Sequence, residues 1–146
     1  MSKAVPICVV FFAAAWIAAQ QNDPSWEPIR KAAEAEHQIM AVAMKQHDFT
    51  QVLPEMRRVY ALRFPGKYEV ALSREIEIVS DFLMHEKQYD LAHKIIDEGL
   101  VILTRGENKA AVLKEKAYIL RKQGKEEDAL RCFREALRAL ATGHHE

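Results

Sequence analysis

The sequence predicts an all-α protein made of about three consecutive antiparallel helix pairs, and three observations lead there. Ala, Leu, Glu, Lys and Arg dominate while only five glycines and five prolines occur in 146 residues; such small or unbranched side chains lose little freedom in a helix. Stop signals recur at intervals that suit helices and are too long for strands. One apolar pattern also recurs. Tyr89-x-x-Ala92-x-x-x-Ile96-x-x-Gly99-Leu100 aligns with Glu126-x-x-Ala129-x-x-x-Phe133-x-x-Ala136-Leu137, and Phe49-x-x-Val52-x-x-x-Met56-x-x-Val59-Tyr60 is a weaker copy. Val52, Ala92 and Ala129 are 40 and 37 residues apart, the length of one helix pair.

The helices follow from their punctuation. Asp23-Pro24-Ser25 offers capping oxygens and a proline suited to a first turn, which predicts a helix from Trp26 to about Gln46. His47-Asp48 breaks it, with Asp48 as the next cap. The second helix is expected from Phe49 to Arg63, starting late or kinking at Pro54 because proline lacks an amide hydrogen. Phe64-Pro65-Gly66 stops it, and the third runs from Lys67 to Glu86. After a tight turn at Lys87-Gln88 the fourth spans Tyr89 to Leu103, and Thr104-Arg105-Gly106 ends it. The fifth is expected from Glu107 to Gln123, Gly124 takes the positive φ of a helix stop, and the sixth spans Glu126 to Ala141.

Residues 1–19 have a different character. One lysine at position 3 precedes an uncharged run from Ala4 to Ala19, which gives way to the polar Gln20-Gln21-Asn22-Asp23. That order is the order of a secretory signal, and the run is shorter than the roughly 20 residues that span a bilayer. The expected division is therefore a signal peptide at 1–19 and a helical repeat domain at 20–146, with a periplasmic or secreted mature protein. Cleavage after Ala19 is preferred over Ala15; an uncleaved membrane tether is the alternative. Cys8 falls inside the signal, so the mature chain keeps only Cys132 and forms no internal disulfide.

Twenty-one basic and twenty-one acidic residues are interleaved along the chain, which argues against a nucleic acid or an anionic membrane as partner. The histidines lack ligand spacing and no cysteine lies near them, so no metal is expected and His37, His47, His85 and His93 read as surface or groove residues. There is no nucleophile elbow and no phosphate-binding glycine loop. Glu75, Glu77 and Asp81 read as a solvated helix face rather than paired catalytic acids. No cofactor and no enzymatic activity are expected.

The repeated pattern resembles the tetratricopeptide repeat. The third unit carries the resemblance best, with Ala117 and Leu120 on its first helix, Gly124 at the turn, and Ala129, Phe133, Ala136 and Leu137 on its second. The second unit keeps Tyr89, Ala92, Ile96 and Gly99. The periods exceed the usual ~34 residues and no proline closes the third unit; an unrelated six-helix bundle is the competing architecture. The resemblance implies a right-handed superhelical stack in which small residues admit close helix approach and larger ones fill the space between pairs. It further implies a concave groove lined by the first helix of each pair: Glu34, His37, Ala41 and Met44, then Arg74, Glu77, Asp81 and Met84, then Lys114, Tyr118, Arg121 and Lys122. The expected partner-binding residues are Arg74, Glu77, Asp81, Lys114, Tyr118, Arg121 and Lys122, the last four suiting a carboxylate or acidic peptide. A module that binds a protein or peptide is the functional expectation. A structural subunit of an envelope-associated assembly and a small helical enzyme are the alternatives.

The last helix has a wide apolar arc. Ala129, Leu130, Cys132, Phe133, Ala136, Leu137, Leu140 and Ala141 cover about half its circumference. The surplus edge, Leu130, Leu137 and Ala141 on one side or Cys132 on the other, is expected to meet a second copy as a weak homodimer, a partner's helix, or a retained signal segment. Cys132 reads as a packing residue.

Overall fold

The structure, a computed structural model, describes residues 23–143. The expected export signal and the terminal His144-His145 lie outside them. Six helices follow in order: α1 (Glu27–Lys45), α2 (Val52–Ala61), α3 (Glu69–His85), α4 (Tyr89–Ile102), α5 (Gly106–Lys122) and α6 (Glu126–Thr142). No strand occurs among the described residues. Short 3-10 turns at Phe49–Gln51 and Gly66–Tyr68 precede α2 and α3. The late start of α2 puts Pro54 in its first turn, where a missing amide hydrogen costs nothing.

Two expected caps are made differently. Asp48 does not cap the backbone; its carboxylate takes the Thr50 hydroxyl at 2.5 Å. Asp23 receives the Ser25 amide at 3.0 Å and, through its carbonyl, the amides of Trp26 and Glu27. The start of α1 is held instead by Trp26, whose ring stacks on Tyr68 at 4.3 Å and meets Phe64 edge-on.

The three pair turns share one hydrogen-bond pattern. The amide of His47 donates to the Met44 carbonyl and that of Asp48 to the Ala43 carbonyl; Lys87 and Gln88 do the same to Met84 and Leu83, and Gly124 and Lys125 to Arg121 and Leu120. In each turn the first residue is left-handed, with φ of 58° at His47, 58° at Lys87 and 75° at Gly124. These paired bonds close the C-terminus of a helix and turn the chain back. Their spacing equals that of the apolar pattern. Only Gly124 announced itself in the sequence, because His47 and Lys87 adopt the same conformation without being glycine.

Packing joins successive pairs. A continuous core includes Met40 of α1, Met56 of α2, Ile76 of α3, Ile96 of α4 and Ile119 of α5. Ala92, Ile96, Ala117, Ala129 and Ala136 are buried, while Phe133 is half-buried. Gly99 admits a close approach: a β-carbon there would sit 2.5 Å from Ile76 Cδ1 and 2.9 Å from the Tyr60 hydroxyl, which donates to the Ile95 carbonyl at 2.6 Å. Polar links cross between pairs as well. Arg57 of α2 meets Glu98 of α4 at 2.6 Å, and Lys116 of α5 meets Asp97 of α4 at 2.6 Å. Glu69 at the head of α3 accepts the amides of Thr104 and Arg105, the Thr104 hydroxyl and the Asn108 side-chain amide, and so ties the entry of α5 to α3. Helix α6 makes extensive contact with α5 alone. Cys132 is buried and free, its thiol pushed up by burial. The surplus apolar edge of α6 is thus the Leu130 and Leu137 side, 49% and 66% exposed.

Candidate functional site

Helices α3 and α5 lie side by side because Ile76 and Val79 share a core with Val112 and Ile119, and because Glu69 holds Asn108 at 2.8 Å. Toward their C-terminal ends the facing side chains turn polar. There a cleft of about 450 Å³ opens, lined by Asp81 and Met84 of α3, Glu115, Tyr118, Arg121 and Lys122 of α5, and Glu126 of α6. Tyr118 is 50% exposed and its ring stands edge-on to Phe133 at 5.6 Å, which fixes it as a wall.

The floor is acidic and strained in charge. Glu115 is pushed up to about 7, first by burial and then by Asp81 and Glu77, with His85 opposing. Glu77 is raised by burial, against the pull of Arg74 at 3.1 Å and of Lys114. One carboxylate oxygen of each, Oε1, is buried without a hydrogen-bond partner. At the rim Arg121 lies 3.5 Å from Glu126. The cleft thus sets the carboxylates of Asp81 and Glu115 beside an aromatic wall and a basic edge, with Glu77 adjoining.

Of the residues expected to bind a partner, Asp81, Tyr118, Arg121 and Lys122 line this cleft. Glu77, Arg74 and Lys114 adjoin it through the charge contacts around Glu77. The first-unit set does not join them. Met44 is buried, Glu34 is tied to Arg30 at 2.5 Å, and His37 is only 3% exposed. His37 is a correction: instead of facing water or a groove, its Nδ1 lies 2.8 Å from Glu75 Oε1. Glu75 is likewise no part of a solvated face; α1 and α3 close over the pair, and burial pushes the Glu75 carboxyl up. Glu115 and Glu126 are the lining residues the sequence left unmarked. Glu115 lies three residues before Tyr118, a spacing that puts both on one helix face, but its burial depends on how near α3 stands.

A larger opening of about 930 Å³ lies between the start of α5 and the end of α6. Glu69 takes the Thr104 and Arg105 amides just before α5, so a carboxylate of the chain already lies against this end of the helix. Among the described residues no group of three or more His, Cys, Asp or Glu side chains is placed to hold a metal ion, and no helix is long and apolar enough to cross a membrane.

Compared with family models, curated proteins and solved structures, the chain matches none. What it does must therefore be read from the cleft and its surroundings.

Proposed function

We propose that the chain is a protein-interaction module of the tetratricopeptide-repeat kind, its three helix pairs stacked in a right-handed superhelix, and that it is exported and does no chemistry of its own. The observation that carries this reading is the cleft between α3 and α5, where half-exposed Tyr118 shares the lining with Asp81, Glu115, Arg121 and Lys122 and Glu77 adjoins it. The recurrence of one turn at His47, Lys87 and Gly124 supports the repeat architecture, and the uncharged run from Ala4 to Ala19 supports export.

The proposed occupant is a polypeptide segment. A lysine or arginine side chain from it seats on Glu77, Asp81 and Glu115, its backbone packs on Tyr118, and a carboxylate of the same segment meets Arg121 and Lys122 at the rim. Because the cleft walls are helices fixed by the shared core, binding spends little free energy on ordering the receptor. A cationic group lowers the Glu115 pKa, so affinity for a basic peptide rises as pH passes upward through about 7.

Selection from a displayed peptide library, followed by fluorescence anisotropy of the retained peptides, tests this. Retained peptides should carry a basic residue, Tyr118→Ala should weaken them by about tenfold or more, and Glu115→Gln should remove the pH dependence. Peptides that bind equally well to Tyr118→Ala, Glu115→Gln and Arg121→Ala would place recognition elsewhere. N-terminal sequencing from the native host tests export, with a start at or near Gln20 expected and an intact Met1 on soluble cytoplasmic protein as the contrary result.

A further inference from the structure

We propose that the protein forms a two-fold dimer in which α6 of one copy packs antiparallel against α6 of a second along Leu130 and Leu137. The first ground is exposure. Leu130 and Leu137 are 49% and 66% exposed on the last helix of the described chain. Their spacing of two turns puts them within roughly 20° of each other on its surface. Half-buried Phe133 lies between them and Leu140, 39% exposed, continues the stripe, so the apolar face is long enough to meet another helix rather than a single side chain. The inward faces of α6 are already used, with Ala129, Cys132 and Ala136 packed on α5.

The second ground is charge, and it singles out another copy of this chain. Glu127 and Arg138 are eleven residues apart, which places them about 20° from each other on one flank of the stripe. Neither has an ion-pair partner among the described residues, whereas Arg131, about 20° from Arg138 on the same side, is already paired with Asp128. When two α6 helices run antiparallel with Leu130 of each facing Leu137 of the other, Glu127 of each copy comes opposite Arg138 of the other, offset by only about 3 Å along the axis. Both pairs form at once because the operation is a two-fold. A parallel two-fold would instead put this flank of the two helices on opposite sides of the seam, so Glu127 and Arg138 would not meet. The antiparallel one also opposes the helix dipoles, whose acidic first turn of Glu126, Glu127 and Asp128 lies at one end. Arg134 of the two copies meets near the axis without a carboxylate, which keeps the association weak and salt-sensitive.

The stripe on α1, where Ile39 and Val42 are 47% and 55% exposed, is the rival surface. A contact between α6 of one copy and α1 of the next would be head-to-tail and would not close at two. Charge separates the two cases, because only the α6 pair is self-complementary.

Sedimentation velocity of the full chain across a concentration series, with circular dichroism as the folding check, decides between them. A monomer–dimer equilibrium is expected. Leu137→Glu should abolish it, Glu127→Arg should weaken it by about tenfold or more, and Glu127→Arg combined with Arg138→Glu should restore it. All three positions are exposed, so each variant is expected to keep its helical spectrum. Should Leu137→Glu misfold, the charge pair of variants still reads the interface. A monomer at every concentration would overturn the proposal. So would association that survives Leu137→Glu, association that the double charge reversal fails to restore, or larger oligomers that Ile39→Glu disperses.

Discussion

Glu69 and Glu115 both face α5, yet their surroundings push them in opposite directions. Burial alone would raise Glu69, but the donors from Thr104, Arg105 and Asn108 outweigh it and hold the carboxyl below its usual range. A depressed folded pKa contributes stability that is present above the unfolded value of 4.5 and is lost as pH falls through the folded one. Glu115 has the reverse sign. Its contribution is greatest below 4.5 and is lost as pH rises through about 7. Stability should therefore peak in mild acid. Chemical denaturation at several pH values should show Glu115→Gln flattening the alkaline side, and Glu69→Gln losing about 2 kcal/mol at neutral pH, since hydrogen bonds to a charged group are the stronger kind. At Gly99 the effect is steric. Gly99→Ala should cost about 1–3 kcal/mol as Ile76 and Tyr60 are forced aside, whereas Gly124→Ala meets open space and should cost only the roughly 1 kcal/mol of a left-handed backbone.

Among the elements, the turns show what a single sequence can and cannot reveal. Helix limits were legible to within a few residues because Pro24, Pro65, Gly66 and Gly124 act on the backbone locally. The shared turn at His47 and Lys87 was not, since neither residue type prefers a positive φ and both pay for it. Lys87→Gly should accordingly raise stability by about 0.5–1 kcal/mol, measured by urea denaturation. His47→Gly should gain less, because it gives up the contacts to Glu86 at 3.3 Å and to the Phe49 ring. The cleft was half legible for a related reason. Tyr118, Arg121 and Lys122 share an exposed helix face that periodicity can find. The burial of Glu115, and of His37 against Glu75, arises only when one pair approaches the next, a distance no local pattern encodes.

At the level of the whole molecule, cohesion is uneven. The continuous core draws on α1 through α5, while the buried residues of α6 belong to smaller clusters shared chiefly with α5. Native-state hydrogen exchange should show α6 amides opening at a free energy at least about 1 kcal/mol below those of α3 and α4, at protein concentrations low enough to disfavour self-association. Ala129→Leu, which overpacks the one face that α6 does use, should widen that gap, and Arg131→Leu should leave it unchanged. Equal protection across all six helices would contradict this picture. The recurrence of one turn at 47, 87 and 124 has a consequence for ancestry. Three places in the chain carry the same backbone instruction, so recombination between any two of them would add or remove a whole cassette and leave every surviving helix with its own stop. The number of pairs is thus something duplication can change without inventing a new turn.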